Sequence, residues 1–198
     1  FSPQRGFIGD NTVLTVVGEG FVDRNDASGD SLLQCRFAHL HVVPATLISS
    51  TELSCSVDDG NWATVTEDAG TTIAVEITTN GQDFVQAVDQ FALDFPTVLG
   101  SLTPLHIYAG NSAAELFVSG TNFVTSNQTL CRVTTAGDHS ADVGEDIFVQ
   151  TAVWFSSSSI SCPFPFGLEP GEFELSISTN LGQSWSETRL PFEAIVQA

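Results

Sequence analysis

Side chains that could carry out chemistry are few in this sequence, and the histidines come first. His39 and His41 stand two residues apart, so on a β-strand they would share a face and could hold a metal ion. No third or fourth ligand follows at a recognisable spacing, no serine lies in a G-x-S-x-G motif, and no carboxylate pair stands out. The sequence therefore predicts no enzyme activity, and two imidazoles that are exposed or hydrogen-bonded.

The loop from Asp23 to Asp30 is rich in side-chain oxygen atoms, which are the ligands that calcium prefers. It resembles a calcium-binding loop only in part, because Ala27 and the position of Gly29 break the EF-hand register and no bidentate glutamate follows. The alternative is a solvated acidic loop. Calcium is the one cofactor that the sequence suggests, and its candidate ligands are Asp23, Asn25, Asp26 and Asp30.

A single sequon, Asn127-Gln128-Thr129, precedes Cys131. It falls in a predicted surface loop, where an oligosaccharide can be attached. We expect Asn127 to be glycosylated in a secreted protein.

The charge of the chain excludes one large class of partners. Asp and Glu number 24 against five basic residues, all of them Arg, which gives a formal net charge of −19. Such a surface repels phosphate backbones, so we expect no nucleic-acid binding. We also expect no membrane insertion, because no run of about 18 apolar residues occurs. The chain is 42% hydrophobic, which is enough to build cores.

The sequence contains four cysteines, an even number that fits a secreted or cell-surface protein with two disulfides. Four buried thiols in a cytosolic protein are the alternative. Four cysteines allow three connectivities.

Short alternating segments dominate the chain and predict β-strands. Thr12–Val17 is β-branched and apolar, and Thr72–Thr78 and Phe173–Ser178 alternate between apolar and polar residues. Turn residues separate these runs, a pattern typical of a β-sandwich, and Asn80-Gly81 predicts a two-residue type I′ hairpin turn. Asp83–Ala92 is ambiguous between a helix and the second strand of a hairpin.

An internal repeat divides the chain into domains of residues 1–95 and 96–198. Four landmarks recur in the same order about a hundred residues apart, a period typical of domains. The matched pairs are Val17–Phe21 with Ser119–Phe123, Cys35–Phe37 with Cys131–Val133, Ser49–Cys55 with Ser157–Cys162, and Thr79–Phe84 with Thr179–Trp185. The repeat places one cysteine pair in each copy, so the economical pairing is Cys35 with Cys55 and Cys131 with Cys162.

The opening Ser2-Pro3-Gln4-Arg5-Gly6 and the later Val16–Phe21 resemble the start of an IPT/TIG domain, an immunoglobulin-like module of receptors and some transcription factors. The first copy carries nearly all of the family pattern, and Leu102-Thr103-Pro104 stands for the opening in the second. The resemblance implies an all-β fold of two tandem immunoglobulin-like β-sandwiches. It says little about function, because such folds serve many functions.

Three functions fit this reading: a structural unit of an extracellular fibre, filament, stalk or surface layer, an adhesion module that binds a protein or glycan, and an accessory module of a secreted enzyme. The short junction at Phe95-Pro96 favours the first, with stacked modules and self-association. Phe164-Pro165-Phe166 follows Cys162 so closely that both rings are not expected to fit inside one sandwich. We therefore expect part of this segment, Phe164 or Phe166, to contact a neighbouring module or subunit, and burial under its own loop is the alternative.

Overall fold

The computed structural model describes residues 1–7, 11–57, 71–111, 114–137, 148–164 and 167–197, with Phe7 described in its backbone alone. The chain forms two compact units, Phe1–Phe95 and Pro96–Ala198. The described residues form strands, turns and irregular segments without a helix, which confirms the predicted all-β fold. Accordingly, nothing in this part of the chain has the length and apolarity of a membrane-spanning helix.

The first unit is a β-sandwich whose strands connect in the order β1-β7-β6-β3-β4-β5-β2. Its middle strand β4 serves both layers, because His41–Pro44 pairs with β3 and the following Ala45–Ser49 pairs with β5. The strands are β1 (Arg5–Phe7), β2 (Thr12–Val17), β3 (Gln34–Phe37), β4 (His41–Ser49), β5 (Glu52–Val57), β6 (Thr71–Thr78) and β7 (Val85–Asp94).

The second unit has two separate sheets, one of four strands in the order β13-β14-β10-β8 and one of five in the order β12-β11-β15-β16-β9. The counterpart of β4 is interrupted at Ala152, so that β12 pairs with β11 and β13 pairs with β14. The strands are β8 (Val98–Thr103), β9 (His106–Tyr108), β10 (Ala114–Thr121), β11 (Leu130–Thr135), β12 (Phe148–Thr151), β13 (Val153–Ser156), β14 (Ser159–Phe164), β15 (Gly171–Ser178) and β16 (Leu190–Ile195).

Each unit has its own apolar core, and the alternation in the sequence selects the residues that fill it. In β2, Leu14 and Val16 are buried, whereas Val13 and Val17 are exposed. In β15, Phe173, Leu175 and Ile177 are all buried, as the alternation predicts.

Two local expectations are resolved by the structure. The segment Asp83–Ala92 is largely strand, since β7 begins at Val85. The predicted two-residue type I′ turn at Asn80-Gly81 is wrong, because Thr79–Phe84 joins the strands and only Gly81 of the pair has a positive φ. The side chain of Asn80 closes this loop instead, accepting hydrogen bonds at Oδ1 from the amides of Gln82 and Asp83.

The glycine bend of the repeat has the same hydrogen bonds in both units. In the first, the amides of Gly18 and Phe21 donate to the turn between β4 and β5, both at 3.0 Å. In the second, Gly120 and Phe123 donate in the same way to the turn between β13 and β14, again at 3.0 Å. Each glycine lies against the phenylalanine three residues later.

Gly120→Ala should lower the free energy of unfolding by about 1–3 kcal/mol, the usual cost of overpacking. A Cβ at this position would overlap the carbonyl oxygen of Val98 and stand 2.9 Å from the Phe123 ring. Gly171→Ala is the matched control, because its Cβ would meet only the Phe173 ring, at 3.6 Å, and its stability should be unchanged or higher. Urea denaturation measures both, and equal stability of the two variants would contradict this packing.

Candidate functional site

Each unit contains a buried disulfide that joins its two layers. Cys35 of β3 is bonded to Cys55 of β5, and Cys131 of β11 to Cys162 of β14, the pairing that the repeat indicates. All four residues lie in the cores and are at most 2% exposed. The described residues therefore contain no free thiol.

Arg36, beside Cys35, lies at the centre of a charged cluster in the first unit. It donates two hydrogen bonds to the carboxylate of Glu76 on the neighbouring strand, 2.7 Å from Nε and 2.9 Å from Nη2. The Phe84 ring packs against its guanidinium, 3.9 Å from the ring centroid. His39 Nδ1 lies 3.0 Å from Glu76 Oε2 at the rim.

Glu76 is 6% exposed and its hydrogen bonds determine its ionisation. The Arg36 guanidinium lowers the pKa of Glu76, burial opposes this shift, and His39 adds to it. Both oxygens of the carboxylate are engaged by Arg36. Glu76 is therefore a structural anion that holds β3 against β6.

The second unit repeats the cationic stack with a different polar partner. Arg132 packs on the Trp185 ring at 4.3 Å, and its Nε donates to Ser176 Oγ at 3.1 Å. Ser176 pairs with Arg132 across β11 and β15, as Glu76 pairs with Arg36 across β3 and β6. Sequence reasoning matched Phe84 with Trp185 but missed that each covers an arginine.

The structure separates the two histidines that the sequence placed on one strand face. His39 lies in the turn before β4 with a φ of +62°, and His41 is the first residue of β4. They do not share a strand face, so the basis for a shared metal site is removed.

The oxygen-rich loop is closed by its own hydrogen bonds. Asp26 Oδ1 accepts from the amides of Ser28 and Asp30, at 2.8 and 3.0 Å, and Asp23 Oδ1 accepts from Ser31 Oγ at 2.6 Å. Within the described ranges, which include this whole loop, no group of three or more His, Cys, Asp or Glu side chains is placed to hold a metal ion. The structure thus shows a loop closed by hydrogen bonds to Asp23 and Asp26, and the calcium interpretation of Asp23, Asn25, Asp26 and Asp30 stays a prediction.

Phe164 is buried inside the second unit, which corrects the expectation that it contacts a neighbouring module or subunit. Phe164 is 3% exposed and packs inside the second unit against Phe148 and Phe192, with ring centroids 5.1 and 6.3 Å away. The alternation of β14 directs its side chain into the core rather than toward a neighbour. Phe166 lies outside the described residues.

An exposed aromatic pair lies instead on the outer face of the four-stranded sheet. Phe117 of β10 and Phe155 of β13 are 46% and 52% exposed, and their rings stack with centroids 6.3 Å apart. Ser161, on the strand between them, is fully buried and donates to Glu115 Oε1 at 2.6 Å. Leu116 and Val118 point inward, so the alternation of β10 predicts that Phe117 points outward. The same alternation does not predict the side of Phe155, because the register of β13 shifts between Trp154 and Ser156.

Asn127 is exposed in a turn before β11. A glycan there would meet solvent, whereas the neighbouring Thr129 is buried.

A family model of the IPT/TIG domain matches residues 1–93, within the first unit. No curated protein matches the chain. One solved structure that the chain resembles is surface glycan-binding protein PbSGBP-B from Prevotella bryantii, at 12% identity and a TM-score of 0.34, over 94% of this chain and 37% of that one. Another is the Escherichia coli adhesin FdeC, at 14% identity and a TM-score of 0.36, over 99% of this chain and 62% of that one. A third is the FN1–FN3 segment of chicken CNTN1 (13%, 0.35, 98% and 68%). The chain thus spans less than two thirds of the first two proteins. With TM-scores below 0.5, these likenesses add nothing to the family match.

Glu76→Gln should lower the melting temperature at neutral pH by a few degrees, because the Arg36 guanidinium loses its anionic partner. The folded-state pKa of Glu76 lies below its unfolded value, so its stabilisation is present above the unfolded pKa of about 4.3 and is lost as the pH falls through the folded pKa. The difference between variant and parent should therefore shrink on acidification. Thermal unfolding between neutral and acidic pH tests this, with the exposed Glu172→Gln as control, and a constant difference would contradict it.

Asn127→Gln should remove one N-linked glycan when the chain is expressed in a eukaryotic secretory host. Intact mass before and after glycosidase treatment measures the change. Equal masses for parent and variant, apart from the substitution itself, would show that Asn127 is unmodified.

Proposed function

We propose that the chain is a non-catalytic, extracellular structural element, two tandem immunoglobulin-like modules of a fibre, filament, stalk or surface layer. The exposed Phe117–Phe155 pair carries this proposal. Two stacked rings, each about half exposed, present apolar surface on a flat sheet face, which is the kind of patch that proteins use for association.

The arrangement of the charged groups supports a structural role. Arg36, Glu76 and Arg132 are engaged with neighbouring strands, and the Asp23 and Asp26 carboxylates close their own loop. Of the side chains that sequence reasoning considered for chemistry, His39, Asp23 and Asp26 therefore have structural partners in the folded chain.

The two buried disulfides support an extracellular location, because such bonds persist in oxidising compartments. The second unit repeats the glycine bend, the disulfide and the arginine stack of the first. We infer that it is also an IPT/TIG-like module. Three residues, Phe95–Thr97, join β7 to β8.

Self-association must overcome the repulsion of chains with a net charge of −19. Contact through an apolar patch on one sheet face brings fewer like charges together, so the repulsion between chains is smaller there. Added salt screens the repulsion that remains. We therefore expect assembly to strengthen as ionic strength rises.

Phe117→Ser with Phe155→Ser should weaken self-association by roughly tenfold or more, since about 1.4 kcal/mol of lost apolar contact changes the constant tenfold. Sedimentation velocity and electron microscopy, at low and high salt, measure assembly. The matched control is Ile48→Ser, an exposed residue of the sandwich face in the first unit. Unchanged assembly of the double variant, with an intact melting temperature, would contradict this role of the pair.

A recognition module is the second candidate function. An open groove in the first unit favours this function, because Phe117 and Phe155 do not line it and assembly through them does not require it.

A further inference from the structure

A groove of about 490 Å³ opens in the first unit between the end of β2 and the start of β7. Its walls are apolar where they meet the core, and Val16 is 4% exposed. Phe21, Ile77 and Ala87 line the groove and are partly buried against that core. The groove therefore offers an apolar floor that is open to solvent.

One wall of the groove is a strand edge that pairs with no other strand among the described residues. β1 pairs with β7 only at Ala92–Asp94, and the Gln4 carbonyl accepts from the Ala92 amide. Over Val85–Gln90, no strand of the described part of the chain lies on that side of β7. An open edge of this kind is a template for pairing with another chain.

The side chains of this edge are more exposed than a closed sandwich requires. Val85 is 72% exposed and Val88 is completely exposed. The register of β6 and β7 shifts between Ala74 and Glu76, so that Ala74 pairs with Gln90 but Glu76 pairs with Gln86. The extra residues on β7 push Val88 outward, away from the core of its own unit.

The rim of the groove is anionic. Glu19, Asp83 and Asp89 line it, and no Lys, Arg or His side chain of the described residues does. This charge favours a basic occupant. A second copy of this chain is disfavoured, because each copy carries a net charge of −19 and no Lys.

We propose that this groove binds an extended polypeptide segment of another protein in which Lys or Arg alternates with apolar residues. The segment adds as a strand to Val85–Gln90, so that its backbone amides and carbonyls pair with those of β7. Because side chains alternate along a strand, its apolar residues enter the groove toward Phe21 while its basic residues meet Glu19 and Asp89.

The second unit provides an internal comparison. Its last strand β16 begins only at Leu190. The preceding segment folds onto its own unit, since Ser186 donates its amide to the Ile177 carbonyl and its hydroxyl to the Thr188 carbonyl. The edge that β7 exposes has no equivalent there among the described residues, so we expect binding at the first unit alone.

The test is a titration of the isotope-labelled chain with a synthetic peptide of about eight residues that alternates valine and arginine, followed by amide NMR. We expect saturable shifts confined to Val16–Phe21 and Val85–Gln90. The same peptide with glutamate in place of arginine should bind at least about tenfold more weakly, because its charges face the acidic rim. Shifts that map elsewhere, equal binding of both peptides, or no binding would overturn the proposal.

Glu19→Lys combined with Val88→Lys should weaken binding of the arginine peptide by roughly tenfold or more, since Glu19→Lys inverts a rim charge and Val88→Lys places a lysine at the edge. Both side chains are exposed, so the fold should persist, which an unchanged melting temperature verifies. Glu172→Lys, exposed in the second unit, is the control with the same type of charge reversal. Equal affinity of the double variant and this control contradicts the assignment. The same shifts produced by concentrating the chain without peptide would identify a second copy as the occupant, and would also overturn it.

Discussion

The disulfide across the sandwich is the constraint on which the rest of each unit depends. In the first unit, Cys35 and Cys55 come from strands of opposite layers and meet inside the core. The two disulfides of the chain close loops spanning 20 and 31 residues, each stabilising its fold by roughly 3–4 kcal/mol in the chain-entropy account. Once the layers are fixed, the short strand β3 has its orientation set, with Cys35 and Phe37 inward and Arg36 outward.

That orientation explains why an arginine follows the first cysteine in both units. The guanidinium lies on the sheet surface, where an aromatic ring from the loop after the paired strand, β6 in the first unit and β15 in the second, covers it. The residue that accepts the hydrogen bond from the arginine differs between the units. It is the Glu76 carboxylate in the first unit and the neutral Ser176 hydroxyl at the paired position in the second. The fold therefore retains the stack of cation and ring while the hydrogen-bond acceptor differs.

Much of this architecture could be predicted from sequence because its signals are local. Alternation located β2, β6 and β15, and the repeat of glycines and cysteines divided the chain and paired the disulfides. The remainder depends on register between segments distant in sequence. Arg36 and Glu76 are 40 residues apart, and nothing near either one indicates the other.

The same reason limits what the sequence shows of two other segments. Asp23 and Asp26 accept hydrogen bonds within their own loop, which loop composition does not reveal. The contact expected of Phe164 followed from two phenylalanines close together in the sequence, whereas the inward face of β14 decides the position of its ring. The groove beside β7 arises from where β1 stops pairing, which no motif records.

The parallel pairing of β1 with β7 has a mechanical consequence. The chain enters the first unit through β1 and leaves it through β7, and the two strands run side by side in the same direction. A pull on the two ends of the unit would drag these strands past each other lengthwise, so their hydrogen bonds would share the load and break together rather than one after another. The ion pair of Arg5 with the buried Asp94, 2.7 Å from Nε to Oδ2, lies across the same seam. In the second unit, β9 and β16 are parallel as well, but the chain enters that unit through β8, which pairs antiparallel with β10, so the same load would reach a different pair of strands first.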